Sequence, residues 1–196
     1  LITGGCGYKG SVLIPKLLKE GHQLTNIDTE WFGNYLKPDK NLNSIKQDIR
    51  NIKDISFNGF DSVIHLANIA NDPAVEINPT MSWEVNVLAS HQLIEKAKNA
   101  NIKQFIFASS GSVYGIKKEE KVTENLSLVP ISTYNKTKMI AERVLMSYKS
   151  AMKIHIIRPA TVCGISPRMR LDVAVNLLTF QGLSKNKITV LGGSQV

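Results

Sequence analysis

The sequence contains no hydrophobic run near the roughly 18 residues that cross a bilayer, so no membrane span is expected. Its two cysteines, Cys6 and Cys163, are too few for a disulfide scaffold and fit a reducing cytosol. No signal-peptide pattern stands at the start, where Leu1-Ile2-Thr3 runs directly into glycines. A hydrophobic content of 43% excludes disorder. We therefore expect one main soluble domain in the cytoplasm.

Acidic residues are scarce relative to basic ones, because 16 Asp and Glu face 24 Lys and Arg, for a net charge of +8. This excess suits an anionic partner, for which a nucleotide-sugar, a cofactor and a nucleic acid are candidates. A mildly basic surface without such a partner fits it equally well. The chain also lacks an initiator Met and ends just after a strand-like run, so we interpret it as a fragment of a longer protein.

Apolar runs alternate with helical patterns along nearly the whole chain. Strands are predicted at residues 1–3, 23–28, 62–66, 104–109, 153–158 and 187–191. Long helices are predicted at residues 9–20, 80–99, 132–150 and 172–183, with Gly21 ending a helix, Pro79 starting one and Asp172 as an N-cap. This alternation favours an α/β fold with a doubly wound, mainly parallel sheet covered on both faces. The longer connections 29–47 and 111–131 are candidates for functional loops or surface insertions.

A glycine-rich turn lies between the first predicted strand and the first predicted helix. Its glycines Gly4, Gly7 and Gly10 are spaced three residues apart. Positions without side chains let the backbone turn tightly and let a pyrophosphate approach the free N–H groups of the helix N-terminus. The strand–turn–helix context favours a dinucleotide site over an ordinary turn. A P-loop is excluded, since no Lys-Ser or Lys-Thr pair follows Gly10.

Asp28 closes the second predicted strand, about 20 residues after the glycine turn. A carboxylate at this position can accept a hydrogen bond from the ribose hydroxyl of an adenosine, and it repels a 2′-phosphate. Asp28 therefore favours NAD over NADP, although a loop aspartate without a ligand is the structural alternative.

Tyr134 and Lys138 stand four residues apart at the start of a predicted helix, and therefore on one face. An ammonium about 4 Å from a phenol, at an effective dielectric near 20, contributes roughly 4 kcal/mol, or about three pK units. That shift is enough to make a tyrosine a working base. A serine at the end of the preceding strand, one of Ser109, Ser110 and Ser112, can bind the same substrate oxygen.

These motifs together resemble those of the extended short-chain dehydrogenase/reductase family, and within it the NAD-dependent nucleotide-sugar epimerases and dehydratases. The resemblance runs over the whole chain and implies a Rossmann fold. It implies an NAD-binding domain over residues 1–168 and the beginning of a substrate-binding region over residues 169–196. It also implies a homodimer formed through the helices at residues 80–99 and 132–150, although most of their apolar positions suit the core.

The resemblance implies roles for individual residues. Ser110, counted back from Val113-Tyr114-Gly115, takes the position of the catalytic Ser or Thr, beside a catalytic base at Tyr134 and its partner Lys138. Asn86 matches a structural asparagine, and no metal is implied. The implied NAD contacts are Gly4, Gly7, Tyr8, Lys9, Gly10, Asp28, Asp48, Ile49, Leu66, Ala67, Tyr134 and Lys138. The implied substrate contacts are Ser110, Ser112, Tyr134, Thr161 and Asn176.

The departures from the family pattern narrow the reaction. Residues 110–112 read Ser-Gly-Ser where the 4,6-dehydratases carry Thr-Asp-Glu, and elimination needs an acid and a base besides the tyrosine. Thr161 stands where many galactose epimerases have an asparagine, and Ala70 stands where they often have a lysine. These two positions therefore do not identify the sugar of the substrate as galactose.

We therefore expect an NAD-dependent epimerase of a nucleotide-diphosphate sugar, acting most simply at C4. A 4,6-dehydratase or a keto-sugar reductase is the alternative within the family. A non-catalytic NAD-binding or RNA-associated protein is the alternative outside the enzymes, and the complete set of Ser110, Tyr134 and Lys138 argues against it.

Overall fold

The computed structural model describes residues 1–190. Its strands form one sheet in the order β3-β2-β1-β4-β5-β6, in which every neighbouring pair is parallel. The order reverses direction beside β1, as in a doubly wound Rossmann sheet. The predicted fold class is therefore confirmed. The strands are β1 (Ile2–Thr3), β2 (Leu24–Asp28), β3 (Leu42–Lys46), β4 (Ser62–His65), β5 (Gln104–Ala108) and β6 (Lys153–Ile157).

The helices occupy most of the connections between strands. They are α1 (Gly10–Lys19), α2 (Asp72–Ile77), α3 (Pro79–Trp83), α4 (Ala89–Asn99), α5 (Thr133–Met146) and α6 (Ala174–Lys185). A π-helical segment, Glu84–Leu88, joins α3 to α4 without a break, so the single helix predicted at residues 80–99 is one run with a wider turn inside it. Short 3₁₀ helices stand at Ile49–Asn51 and Gly111–Tyr114. No helix within residues 1–190 is long and apolar enough to cross a membrane.

The hydrophobic core lies between one face of the sheet and the helices α4 and α5. Phe105 and Phe107 of β5 point into it, where they meet buried residues of α4 (Leu93, Ile94, Ala97) and of α5 (Ala141, Leu145). The other face is less covered, because Lys153, His155 and Ile157 of β6 are exposed. The expectation of cover on both faces therefore holds only in part among the described residues.

Two elements, β3 in the long connection 29–47 and α2 in the connection between β4 and α3, were not predicted from the sequence pattern. β3 pairs with β2 from Leu42↔Leu24 to Lys46↔Asp28, and α2 begins at an asparagine cap, with the Asn71 side chain accepting a bond from the Ala74 N–H at 3.0 Å. β3 escapes prediction because its residues at the sheet edge are mostly polar and exposed.

Two predicted features near the end of the chain are wrong. Residues 187–190 form no strand, since no described strand lies beside them, and the Ile188 side chain lies near Gly182 of α6; Leu191, the last predicted strand residue, lies outside the described residues. Asp172 does not cap α6, because its carboxylate pairs with Arg170 and Val173 takes the cap position. The helix end at Gly21 and the helix start at Pro79 are confirmed.

Candidate active site

A cavity of about 800 Å³ opens along the carboxyl edge of the sheet, where segments that follow all six strands line it. This edge, beside the point at which the strand order reverses, is where open parallel sheets bind ligands. Its volume lies in the range of small-molecule sites. The cavity runs from Asp28 and Asp48 at one end, past the glycine turn, to Tyr134.

The glycine turn is packed so tightly that side chains cannot enter it. A Cβ atom on Gly4 would lie 2.4 Å from the Ala67 nitrogen, and Gly4 also has a φ of +76°. A Cβ atom on Gly10 would lie 2.4 Å from the Gly5 Cα. At Gly7, by contrast, the nearest atom is the Gly4 oxygen at 3.2 Å. The turn therefore packs against its own backbone and the β4 edge, while its surface at Gly7 faces the cavity.

Asp28 holds the turn and lines the cavity at the same time. Its Oδ2 accepts from the Cys6 N–H at 2.9 Å, and its Oδ1 accepts from the Glu30 N–H at 2.8 Å. The fully buried Asn26 assists from within β2, since its Oδ1 accepts from the Gly5 N–H at 2.9 Å. The sequence analysis missed Asn26, although a polar residue inside a buried strand is a signal that could have found it.

Asp48 and Ile49 form the far end of the cavity wall. The Asp48 carboxylate caps the 3₁₀ helix by accepting from the Arg50 N–H at 2.8 Å, and it also pairs with the Arg50 guanidinium at 2.8 Å. Burial works against this carboxylate, but the Arg50 hydrogen bonds and charge hold the pKa of Asp48 below its usual value. Asp48 is therefore a fixed acceptor for a ligand at this end.

The three serines after β5 have different environments. The Ser109 hydroxyl is buried and donates to the Glu142 carboxylate, so it does not face a substrate. The Ser110 and Ser112 hydroxyls lie 2.7 Å apart, and Ser112 also donates to Asn135 Oδ1. Ser110 and Ser112 are thus the strand-end hydroxyls that remain for a substrate, as the resemblance implied.

Tyr134 lies in the first turn of α5, where the Ser132 hydroxyl caps the helix by accepting from the Asn135 N–H at 3.2 Å. It lines the cavity together with Ser110 and Asn68. Burial raises the pKa of the Tyr134 phenol above its ordinary value, and the charge of Arg170 opposes that rise. That Lys138 lowers the pKa of the Tyr134 phenol stays a prediction.

Lys138 is buried one turn further along α5 and does not line the cavity. Its Nζ lies 4.2 Å from the centre of the Phe107 ring and has no hydrogen-bond or ion-pair partner within residues 1–190. Burial, assisted by the nearby charge of Lys9, lowers the pKa of Lys138 to about 7, against a smaller effect of Glu142.

Asn176, predicted to contact substrate, is buried with its amide engaged inside the protein. Its Oδ1 accepts from the Gly164 N–H at 2.9 Å, and its Nδ2 donates to the Tyr8 hydroxyl at 3.0 Å and to the Arg170 carbonyl at 2.9 Å. It does not line the cavity, so a substrate contact by Asn176 stays a prediction. Thr161 is exposed and lines the cavity.

The structure brings all the predicted ligand contacts except Lys138 and Asn176 to one cavity. Asn86, from the π-helical segment, stabilises the cavity wall at Ile69. Its Oδ1 accepts from the Ile69 N–H at 2.8 Å, and its Nδ2 donates to the Thr137 hydroxyl at 3.1 Å. The sequence analysis missed the cavity residues Phe32, Arg168 and Arg170. Their place in the cavity wall depends on tertiary folding, which the spacing of residues in the sequence does not contain.

Comparison with known proteins identifies relatives over the whole chain. The profile of the NAD dependent epimerase/dehydratase family matches residues 1–196. A Bacillus subtilis protein named as an uncharacterized UDP-glucose epimerase is 34% identical over 100% of the chain and 66% of its own length.

Two solved structures have the same fold. The UDP-N-acetylglucosamine 4-epimerase of Methanobrevibacter ruminantium is 28% identical, with a TM-score of 0.88 over 98% of the chain and 64% of the solved chain. A UDP-glucuronic acid 4-epimerase mutant of Bacillus cereus, solved with NAD, is 29% identical, with a TM-score of 0.82 over 97% of the chain and 65% of the solved chain. The chain spans just under two thirds of the length of each of these proteins.

Proposed function

The chain belongs to the NAD-dependent epimerase/dehydratase family, and we propose that the whole protein epimerises a nucleotide-diphosphate sugar, most simply at C4. The observation that supports this most directly is the meeting of Tyr134, Ser110 and the glycine turn in one cavity. The curated relative is named as a UDP-glucose epimerase and the two solved relatives are named as 4-epimerases.

NAD is the family's cofactor, and the residues present fit it. The cavity is elongated, its glycine turn is open at Gly7, and the Asp28 carboxylate stands where an adenosine ribose needs an acceptor. Asn68 also lines the cavity, and its buried Oδ1 has no hydrogen-bond partner among the described residues. This oxygen is therefore available to accept a hydrogen bond from a bound ligand. Gly4, Gly7, Gly10 and Asp28 would hold the dinucleotide.

In the proposed reaction, Tyr134 as phenolate removes the proton from the hydroxyl at C4, and Ser110 donates a hydrogen bond to the same oxygen. NAD, when bound, would supply the hydride acceptor and donor that inversion at C4 requires. Tyr134 then gives its proton back to that oxygen.

The absence of carboxylates at residues 110–112 separates this reaction from a dehydration. Ser110, Gly111 and Ser112 offer hydroxyls and no second acid or base at the strand end. Elimination of water needs such a pair in addition to Tyr134. The proposal is therefore an epimerase in preference to a 4,6-dehydratase or a reductase.

The test is a panel of nucleotide-sugars, with products followed by NMR in deuterated water. We expect Tyr134→Phe to lose turnover by at least about 100-fold while NAD binding is retained. Tyr148→Phe is the matched control, because Tyr148 lies away from the cavity and bonds His91 and Glu95. Solvent deuterium at C5, or net consumption of NADH, would point to a dehydratase or a reductase and contradict the proposal.

The proposal includes a homodimer. Leu88, just before α4, is 57% exposed, and Met146 at the end of α5 is 41% exposed. Apolar side chains of this kind on neighbouring helices suit a contact between copies. Sedimentation of the whole protein measures this directly, and a monomer at micromolar concentration would contradict it.

A further inference from the structure

The chain segments that follow β2 and β6 meet at the cavity. Phe32 lies in the connection after β2, and Arg168 lies in the connection between β6 and α6. The guanidinium carbon of Arg168 lies 3.9 Å from the centre of the Phe32 ring, which is a cation–π contact. Both side chains also line the cavity. We call this pair of residues the clamp.

The clamp joins segments that start far apart on the sheet. β2 and β6 are four positions apart in the strand order, and neighbouring strands lie about 4.8 Å apart, so about 19 Å separates the two strands. The connections must therefore extend across the carboxyl ends of β1, β4 and β5, which lie between them. Because the cavity opens along this same edge, the clamp joins its two sides.

Hydrogen bonds hold the connection after β6 against the glycine turn. The Ser166 hydroxyl donates to the Tyr8 carbonyl oxygen at 2.8 Å and lies 2.9 Å from the Ser11 hydroxyl. The Tyr8 hydroxyl in turn donates to the Gly164 carbonyl oxygen at 2.7 Å. Arg168 follows only two residues after Ser166, so its backbone is held close to the turn that is predicted to bind a pyrophosphate.

The connection after β2 is also held in place, because residues 30–33 form a hydrogen-bonded turn that carries Phe32. The Gly33 N–H donates to the Glu30 carbonyl oxygen at 2.9 Å, and the Glu30 N–H donates to Asp28 Oδ1 at 2.8 Å. The carboxylate that is predicted to accept from a ribose thus also fixes the turn that carries Phe32. A ligand bound at Asp28 would therefore lie beside the clamp.

The two side chains of the clamp depend on each other for their positions. Within residues 1–190, the Arg168 side chain makes no hydrogen bond and no ion pair, whereas the neighbouring Arg170 is paired with Asp172. Phe32 is 62% exposed, so burial in the core does not hold its ring either. Removal of one partner therefore leaves the other without the contact that places it at the cavity.

We propose that Phe32 and Arg168 retain NAD in the cavity, and that their contact slows release of the bound dinucleotide. This inference rests on the proposed function, since epimerisation without net oxidation can use one NAD molecule from start to finish. A reductase exchanges its cofactor at each turnover and would gain nothing from slow release.

The test measures release of the cofactor directly and needs no sugar. The whole protein is loaded with NADH and mixed rapidly with an excess of NAD, and the change in the fluorescence of bound NADH gives the dissociation rate. We expect Phe32→Leu and Arg168→Gln each to raise this rate by about 2- to 5-fold, the factor that corresponds to a cation–π contact at an exposed site. The double variant should release NADH no faster than the faster single variant, because each single change already breaks the contact.

Two further variants separate the contact from other effects. Phe32→Tyr keeps an aromatic ring for the guanidinium and should raise the rate less than Phe32→Leu does. Arg143→Gln removes one positive charge at an exposed position of α5 outside the cavity and should leave the rate unchanged. Thermal unfolding without NADH identifies any loss of structure, since substitutions at exposed positions usually change stability little.

Unchanged release in both single variants, or single effects that multiply in the double variant, would overturn the inference. An equal rise in Arg143→Gln would also overturn it, because overall charge would then account for the rate. None of these results bears on epimerisation, which is measured separately as turnover of nucleotide-sugars. A protein that binds no NADH would instead contradict the proposed function and the clamp together.

Discussion

The Glu142 carboxylate on α5 joins the Ser109 hydroxyl at the end of β5 to the Arg158 guanidinium beyond the end of β6. Arg158 Nη2 donates to Glu142 Oε2 at 2.7 Å, and the two side chains are 19% and 4% exposed. Arg158 Nη1 continues the contact to the Tyr114 hydroxyl at 2.8 Å. This buried network fixes the strand end that carries Ser110, so its disruption reaches the candidate active site.

We expect Glu142→Gln to lower the free energy of unfolding by about 3 kcal/mol, because it leaves the buried Arg158 without a charged partner. Chemical denaturation of the NAD-free protein measures this. Glu84→Gln is the matched control, since Glu84 pairs with Arg50 where the side chains are 43% and 33% exposed. The control should cost less than about 1 kcal/mol, and equal losses in the two variants would contradict the structural role given to Glu142.

Lys138→Met should stabilise the NAD-free protein while it abolishes turnover. The lysine is buried without a partner among the described residues, and its pKa is lowered to about 7 by burial and by Lys9. The pKa of Lys138 falls on folding from 10.5 to about 7, so the folded protein binds this proton more weakly than the unfolded chain does. The stability of the folded protein therefore decreases as the pH falls through this range, and at neutral pH the burial of Lys138 is unfavourable. We expect a gain of roughly 1–3 kcal/mol at pH 7.

Thermal unfolding of Lys138→Met against the exposed neighbour variant Lys136→Met checks this expectation. The Lys136 variant should change stability little, because surface substitutions away from special features do so. If Lys138→Met is less stable than the unaltered protein, the buried ammonium contributes more through Phe107 than its burial costs.

The parts of this molecule that could be predicted from sequence are local. The glycine turn, Asp28 and the pair Tyr134 and Lys138 are separated by fixed numbers of residues on elements whose geometry is known, so spacing alone places them. The doubly wound, mainly parallel sheet follows from the alternation of strands and helices, but the strand order was not predicted. The resemblance to a known family selected Ser110, which the geometry of β5 then separated from Ser109.

The parts that could not be predicted depend on tertiary contacts. β3 is a polar strand defined only by its pairing with β2, and Arg170 lines the cavity from a late segment that Asp172 and Asn71 connect to the start of α2. The burial of Lys138, with its Nζ over the Phe107 ring, is likewise set by a tertiary contact. Burial and long-range charge are properties of the folded chain, and spacing does not contain them.

His65 should make the protein lose stability in mild acid. It is fully buried between Thr3, at 2.7 Å from Nδ1, and Ser90, at 2.8 Å from Nε2, and burial, with Lys138, lowers its pKa to about 3. The unfolded chain takes up the proton near pH 6.5 and the folded chain does not, so stability is present above that value and falls as the pH drops from about 6.5 towards about 3. The loss approaches 1.4 kcal/mol per pH unit.

Denaturation measured between pH 7 and pH 4 checks this slope. His65→Gln removes the titrating group and should flatten the dependence, even if it lowers stability at pH 7. His22→Gln alters an exposed histidine beyond α1 and should leave the slope as it is. An unchanged slope in His65→Gln would show that other groups account for the loss in acid.

Gly4→Ala should abolish NAD binding and lower stability by more than about 2 kcal/mol. A Cβ atom at Gly4 would lie 2.4 Å from the Ala67 nitrogen and 2.8 Å from the Leu66 carbonyl carbon, so the turn or the segment after β4 must move. Gly21→Ala separates this clash from backbone strain, because Gly21 has a φ of +85° and no atom within 4 Å of its added Cβ. That control should cost about 1 kcal/mol and leave NAD affinity unchanged. Equal NAD affinity in the two variants, measured by calorimetry, would contradict the assignment of Gly4 to the cofactor turn.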